Sequence, residues 1–365
     1  MSQGASKLSR RSFLLAAGIF GVGALSACSG SNEQANEQAA APAAPKQKPQ
    51  AQSGKELEKI TFAWLPNESA QEFQAGREAL QKVLEEGFGK PVELMTTTDY
   101  NVAIEAISSG TAQIAYLGAE GYIQAQERNP KVQCIVTTSD EEGGLEGAMY
   151  YSRMAVASEN AQEYQTADGY SIDNIKGKRF SFVSPSSTSG FKVPSSSIVS
   201  HFGLASSDEL TKPGFFSEVL FGNTHQGSAM NMLLGNCDVA AVDDVDLVPY
   251  VELVSGEESR PGAVYRVKDN AEPPFDRAIG KEFTIIQSSA VLNAPMCVNT
   301  EVLDQETIDK VVQALTDPAN SSNEYLFAPE DKQTGALWSQ EGKTNFVAVD
   351  DSWYEPIREL SKLSN

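Results

Sequence analysis

The chain has 365 residues, of which 41% are hydrophobic, and its 28 Lys and Arg against 49 Asp and Glu give a formal net charge of −21. That length predicts two domains with packed cores rather than one. So acidic a chain is a poor candidate for binding nucleic acid, and any anion it binds must be held by local geometry against the overall field.

The first residues read as a targeting segment. Ser9-Arg10-Arg11-Ser12-Phe13-Leu14 resembles the twin-arginine export signal, an apolar run follows from Phe13 to Leu25, and Leu25-Ser26-Ala27-Cys28 resembles the lipobox of bacterial lipoproteins. The run length and its flanks argue against a permanent transmembrane helix. Residues 1–28 are therefore expected to be a signal ending at Cys28, whose lipid would anchor the chain to the outer face of a bacterial membrane. Residues 29–56 are Ala, Gln, Pro, Ser, Glu and Lys with almost nothing to bury, the composition of a disordered tether. Beyond them lie Cys134, Cys237 and Cys297, whose spacing matches no metal or redox motif. Buried structural thiols are expected, with one disulfide among them left open.

From residue 57 the pattern alternates. Ile60–Leu65, Val92–Met95, Ala112–Leu117 and Val132–Thr137 read as strands. Helices are predicted between them: one with Phe73, Leu80, Val83 and Leu84 on one face, one capped by Asp99, and one over Glu120–Arg128. The acidic, Gly-rich stretch Asp140–Gly147 interrupts the alternation, and Tyr150–Ala157 is extended. A second alternating block runs from Arg179 to about Val267, with a helix over Gln226–Leu234, a strand over Asp238–Val242 and a further helix after Asp244. Phe283–Ile286 and Val291–Val298 are extended, Thr300 opens an amphipathic helix, and a last helix covers about Ser352–Leu363. Such alternation predicts an α/β fold with mostly parallel sheets in two lobes, 57–149 with 291–365 and 150–290.

Ligands of such sheets bind beyond the carboxyl ends of the strands. The segments found there are Leu65–Ser69, Thr97–Tyr100, Tyr116–Tyr122, the Ser187 turn, Asn223–Gln226 and Val242–Asp246. Arg179–Gly190 is the most informative of these stretches. A short apolar strand runs into a Ser-rich turn, so Ser187, Thr188 and Ser189 sit where a helix begins. Unpartnered N–H groups and a positive dipole end there suit an oxyanion. A plain Ser/Thr helix cap accounts for the same residues.

Pro-Asn-Glu-Ser at 66–69, Thr-Thr-Asp-Tyr at 97–100, Ser-Ser-Thr-Ser-Gly-Phe at 186–191 with Val193-Pro194, and the His225 turn resemble, in that order, the phosphonate-binding proteins of ABC importers. The resemblance covers about residues 57–361. It implies a two-lobe periplasmic-binding-protein fold of the Venus-flytrap, type II kind, closure on a phosphonate, phosphite or related oxyanion, and delivery to a membrane permease. It also implies roles. Ser187, Thr188 and Ser189 resemble phosphonyl-binding hydroxyls, Tyr100 and Tyr150 resemble tyrosines that donate to the same group, and His225 resembles a histidine that reaches its oxygens. His201 reads as structural.

Relatives that bind an aminoalkylphosphonate carry an acidic residue just after the return crossover, where this chain has Leu292-Asn-Ala-Pro295. Asp243 and Asp244 remain as candidates for a second acidic position, and Glu120 or Asp243 could accept a bond from a protonated oxyanion. The expected ligand therefore bears a small or uncharged substituent, as phosphite and methylphosphonate do. A hydrolase using Ser187, His225 and Asp243 is the alternative, although neither a Gly-x-Ser-x-Gly nor a His-Glu-x-x-His motif is present. A surface lipoprotein that binds a protein partner is a third. No cofactor, no metal and a monomer are expected.

Overall fold

The computed structural model describes residues 57–69, 73–329, 332 and 335–363; the export motif, Cys28 and the tether lie outside them. The first lobe begins with β1 (Ile60–Trp64), α1 (Gln74–Phe88), β2 (Val92–Thr96), α2 (Tyr100–Ser109), β3 (Ile114–Tyr116), α3 (Ala119–Arg128) and β4 (Val132–Thr138). The chain then enters β5 (Met149–Ala157), passes a small hairpin of β6 (Gln165–Thr166) and β7 (Gly169–Tyr170), and reaches β8 (Arg179–Phe182). Next come α4 (Val193–Phe202), β9 (Glu218–Phe221), α5 (His225–Leu233), β10 (Val239–Asp243), β11 (Val251–Ser255), β12 (Val264–Val267) and β13 (Glu282–Leu292). It returns through β14 (Met296–Asn299), α6 (Gln305–Leu315), β15 (Phe327–Ala328), β16 (Trp338–Ser339), β17 (Phe346–Ala348) and α7 (Glu355–Leu363).

These strands form two large sheets, ordered β17-β4-β14-β3-β1-β2 and β11-β12-β13-β5-β10-β8-β9. Each sheet is sandwiched because its side chains alternate. In the first, Ile60, Phe62 and Trp64 pack with Leu80, Leu84, Val311 and Leu315 of α1 and α6, while Ala63 and Leu65 pack with Ile104, Tyr122 and Ile357. In the second, Ala155 and Val242 face Met232 and Leu233 of α5, whereas Met154 and Val156 join Phe180, Phe182 and Ile198. Each buried Val, Leu, Ile, Phe or Met among them contributes about 1.5–3 kcal/mol.

The sheets differ from expectation in being mixed. β1 pairs β2 and β3 in parallel, but β14 runs antiparallel to both β3 and β4, and β17 antiparallel to β4. In the second sheet β8 pairs β9 and β10 in parallel while β5 and β13 are antiparallel neighbours. The cause is the double crossing: a chain that leaves one sheet and later returns must run back against its outgoing strand. The helix expected after Asp244 is absent. Asp243 accepts the Asp246 N–H at 3.0 Å and turns the chain toward β11 instead. The helix expected from Thr300 starts at Gln305, where Asp304 caps the Thr307 N–H at 2.9 Å. Cys134, Cys237 and Cys297 are buried free thiols, and Cys134 and Cys297 are partners across β4 and β14.

Candidate functional site

β8 ends against a turn that must pass close behind it. A Cβ on Gly190 would lie 2.3 Å from the Val183 Cβ, so only glycine allows the approach. Ser187 caps the turn by accepting the Gly190 N–H at 3.0 Å. One wide turn, Thr188–Lys192, follows, in which the Lys192 N–H reaches the Ser187 carbonyl at 3.0 Å, and α4 continues from it. Thr188 and Ser189 are thereby held at the wall of a cleft between the lobes, which encloses about 540 Å³ including its open mouth.

Tyr150, Ser187, Thr188, Ser189, His225 and Asp243 line this cleft together with Tyr100 from the opposite lobe. Tyr150 donates to Ser189 Oγ at 3.1 Å, and burial holds its phenol well above its ordinary value, so it stays a donor. Ser189 Oγ also lies 3.2 Å from His225 Nε2. The same Nε2 lies 3.3 Å from Asp243 Oδ2, while Nδ1 is buried with no partner. Burial, then the charge of Arg153, lowers His225 to about 3, so the imidazole is neutral. Burial raises Asp243 to about 6 against the pull of the Asp246 N–H and Arg153.

Arg153 is the cation that sequence reasoning missed. It is 2% exposed, sits over the Tyr265 ring at 4.9 Å, and donates Nη2 to the Asp243 carbonyl at 2.8 Å. Its charge lowers Asp243, Asp244 and His225 alike. Asp244 points away from the cleft, accepting from the Tyr151 N–H at 2.8 Å and the Ser259 hydroxyl at 3.1 Å. Asp246 takes its place in the lining.

The lobes are hydrogen-bonded across the cleft, as a closed conformation requires. The Glu120 N–H donates to Thr188 Oγ1 at 2.9 Å, Ser186 Oγ donates to Gln124 Oε1 at 2.8 Å, and Gln226 Nε2 donates to the Asn67 carbonyl at 3.3 Å. Gly118 permits the first of these, since a Cβ there would meet Thr188 Oγ1 at 2.8 Å. Glu120 is thus a correction: its carboxylate is not in the cleft lining but takes the Gln124 amide at 2.9 Å, with Oε2 buried and unpartnered. Asn67 donates to the Tyr100 hydroxyl at 2.8 Å. His201 lies elsewhere, paired with Asp173 at 2.6 Å.

Asn67, Tyr116 and Asp246 also line the cleft, and all fall within the post-strand segments that the pattern marks. Trp338 lines it too, from a stretch with no periodic signal. His225, Asp243 and Asp246 bring ligand atoms within 4.8 Å of one another, close enough for a cation. A nucleophilic triad is not assembled: Ser187 is occupied as a cap, and Ser189 and Asp243 face the same imidazole nitrogen instead of opposite ones.

Two mixed α/β lobes closed over a polar cleft are the architecture of the periplasmic substrate-binding proteins. Residues 62–354 match the family described as "ABC transporter, phosphonate, periplasmic substrate-binding protein", and the chain belongs to that family. It is 25% identical over 305 residues to the phosphate-import protein PhnD of Mycolicibacterium smegmatis, covering 83% of this chain and 85% of that one. Its fold is similar to a binding protein component of an ABC phosphonate transporter from Pseudomonas aeruginosa, with a TM-score of 0.61 at 19% identity over 83% of this chain and 85% of that one. It is also similar to PhnD1 of Prochlorococcus marinus in complex with methylphosphonate, with a TM-score of 0.59 at 14% identity over 84% and 97%. No helix among the described residues is long and apolar enough to cross a membrane.

Proposed function

We propose that the cleft captures an oxyanion of phosphorus with a small or uncharged substituent and delivers it to an ABC permease, without chemistry. The observation that carries this reading is how the hydroxyls are committed. Thr188 Oγ1 already accepts from the Glu120 N–H and so keeps its own proton for a ligand; Ser189 Oγ accepts from Tyr150 and keeps its proton with the ring hydrogen of His225 on Nε2, between Ser189 and Asp243. Donors held by the fold, with a helix start behind them, neutralise an oxyanion without a full counter-charge. The ionised Asp243 accepts a bond from a P–OH group, which phosphate, phosphite and monoanionic methylphosphonate can offer and sulfate at neutral pH cannot. Inorganic phosphate is the second reading, favoured by the import protein of M. smegmatis.

Ser187, Thr188, Ser189, Tyr100, Tyr150, His225 and Asp243 are the proposed binding residues. The proposed lobes are 57–149 with 291–365, and 150–290. The chain acts as a monomer tethered through lipidated Cys28, so Cys28→Ser should release it from membranes. Calorimetric competition among phosphate, phosphite, methylphosphonate, aminoethylphosphonate and sulfate tests the ligand. Sulfate should bind at least roughly tenfold more weakly, the 1.4 kcal/mol of one carboxylate left facing an acceptor. Aminoethylphosphonate should be weaker by a similar factor, because Asn293 and Ala294 offer its amine no charge. If the amino compound binds most tightly, Asp243 and Asp246 receive the amine and the small-substituent reading fails.

A further inference from the structure

The first-lobe side of the cleft includes an apolar patch centred on Trp338. This indole is clamped on three sides. It meets Phe346 edge-on with centroids 5.0 Å apart, Phe327 at 5.5 Å, and Tyr116 edge-on at 5.7 Å. Its one polar atom is committed, since Nε1–H donates to the Tyr116 hydroxyl at 3.3 Å. β15 and β16 pair in parallel, with Phe327 opposite Trp338, and fix the backbone behind it. The ring nevertheless lines the cleft, next to Leu65, Tyr116 and Ala294 on the first-lobe side, whereas the hydroxyls of residues 187–189 and His225 come from the second lobe. Trp338 therefore presents carbon surface to a ligand whose oxygens are held by the facing lobe.

We propose that Trp338 is a specificity-determining residue that contacts the substituent on phosphorus and limits its size. This rests on the oxyanion reading above. A rigid aromatic wall rewards a methyl group that fills the gap and rejects a bulkier group, because the clamped indole has no room to swing aside. The inorganic anion, which has only oxygens to offer, gains little from that wall.

Calorimetry on the full chain with inorganic phosphate, methylphosphonate and phenylphosphonate reads this out. In Trp338→Ala, phosphate affinity should stay within about twofold. Methylphosphonate should lose roughly fourfold, the equivalent of about 0.8 kcal/mol for one buried methyl. Phenylphosphonate should gain roughly tenfold or more as the wall opens. Trp338→Phe, which keeps an aromatic ring against Phe346, serves if the alanine protein does not fold: its methyl preference should fall while phosphate is unchanged. An equal loss for all three ligands makes Trp338 merely structural and overturns the proposal, as does phenylphosphonate binding no better. A wild-type chain that binds none of these anions sinks the oxyanion reading itself, and the proposal with it.

Discussion

The two walls of the cleft are built on opposite principles. The second-lobe wall is polar and buried throughout: Ser187, Thr188, Ser189, His225 and Asp243 are each no more than 4% exposed. Behind it, outside the lining, stands one charge, Arg153, which acts on two carboxylates, Asp243 and Asp244, and a neutral imidazole. The first-lobe wall mixes Leu65, Ala294 and the Trp338 ring with scattered neutral polar groups, Asn67, Tyr100, Tyr116, Thr138 and Asn293, and carries no charge. On the proposed reading, head-group recognition rests on a buried electrostatic arrangement and size selection on ordinary packing. A buried polar cluster fails as a unit when one member is removed, whereas an apolar wall fails locally.

The sharpest way to break the comparison is to take away the hidden cation. Arg153→Met leaves Asp243 and Asp244 uncompensated in a dry site. Urea denaturation should show a loss of about 3–5 kcal/mol, as for other buried charges deprived of a partner. A loss under about 1 kcal/mol would mean that the carboxylates do not depend on it.

A smaller effect separates the walls by affinity. Thr188→Val keeps the shape but removes the hydroxyl that accepts from the Glu120 N–H and, on the proposed reading, donates to the oxyanion, and should weaken oxyanion binding by about 1–3 kcal/mol. Asn67→Ala, on the other wall, removes a donor that serves Tyr100 and should cost about 0.5–1.5 kcal/mol. Titration calorimetry that ranks the two variants the other way round would shift head-group recognition to the first lobe.

The smallest effect is in pH. His225, lowered to about 3, contributes stability that is fully present above its ordinary value of 6.5 and is lost as pH falls toward 3. Asp243, raised to about 6, does the opposite: its protonated form favours the fold below 3.8, and that contribution is lost as pH rises through 6. Between about pH 4 and 6 the two slopes, each at most about 1.4 kcal/mol per pH unit, oppose one another. Asp243→Asn should therefore lose stability on acidification more steeply than the parent, and His225→Gln less steeply. Parallel profiles for all three proteins by urea midpoint would show that neither group titrates as described.

What was legible in the sequence follows from the same division. The Ser187 turn announces itself because hydroxyls, glycine and a strand end coincide in a dozen residues, and Tyr100 because Asp99 caps its helix. Asp246, Asn67 and Tyr116 lie in stretches that follow strands, so their region was readable though their individual roles were not. Arg153 was not readable: an arginine in an extended run ordinarily points to solvent, and only the pairing of β5 between β10 and β13 buries it. Glu120 misled because a helix start can offer its amide or its carboxylate, and here the amide reaches across. Trp338 gave no signal because its position is set by tertiary stacking on Phe346 and Tyr116, with no local periodicity to betray it.

The placement of β14 has a consequence for how the chain is made. Residues 296–299 fill the gap between β3 and β4, strands that were synthesised long before. Until the ribosome has passed Asn299, the N-terminal sheet has no continuous ladder and its interior strands keep open edges. The other sheet is drawn wholly from residues 149–292, so every strand it needs precedes that point. The half of the molecule that is written first can only be finished last, and its exposed edges must be tolerated while the later half is already complete.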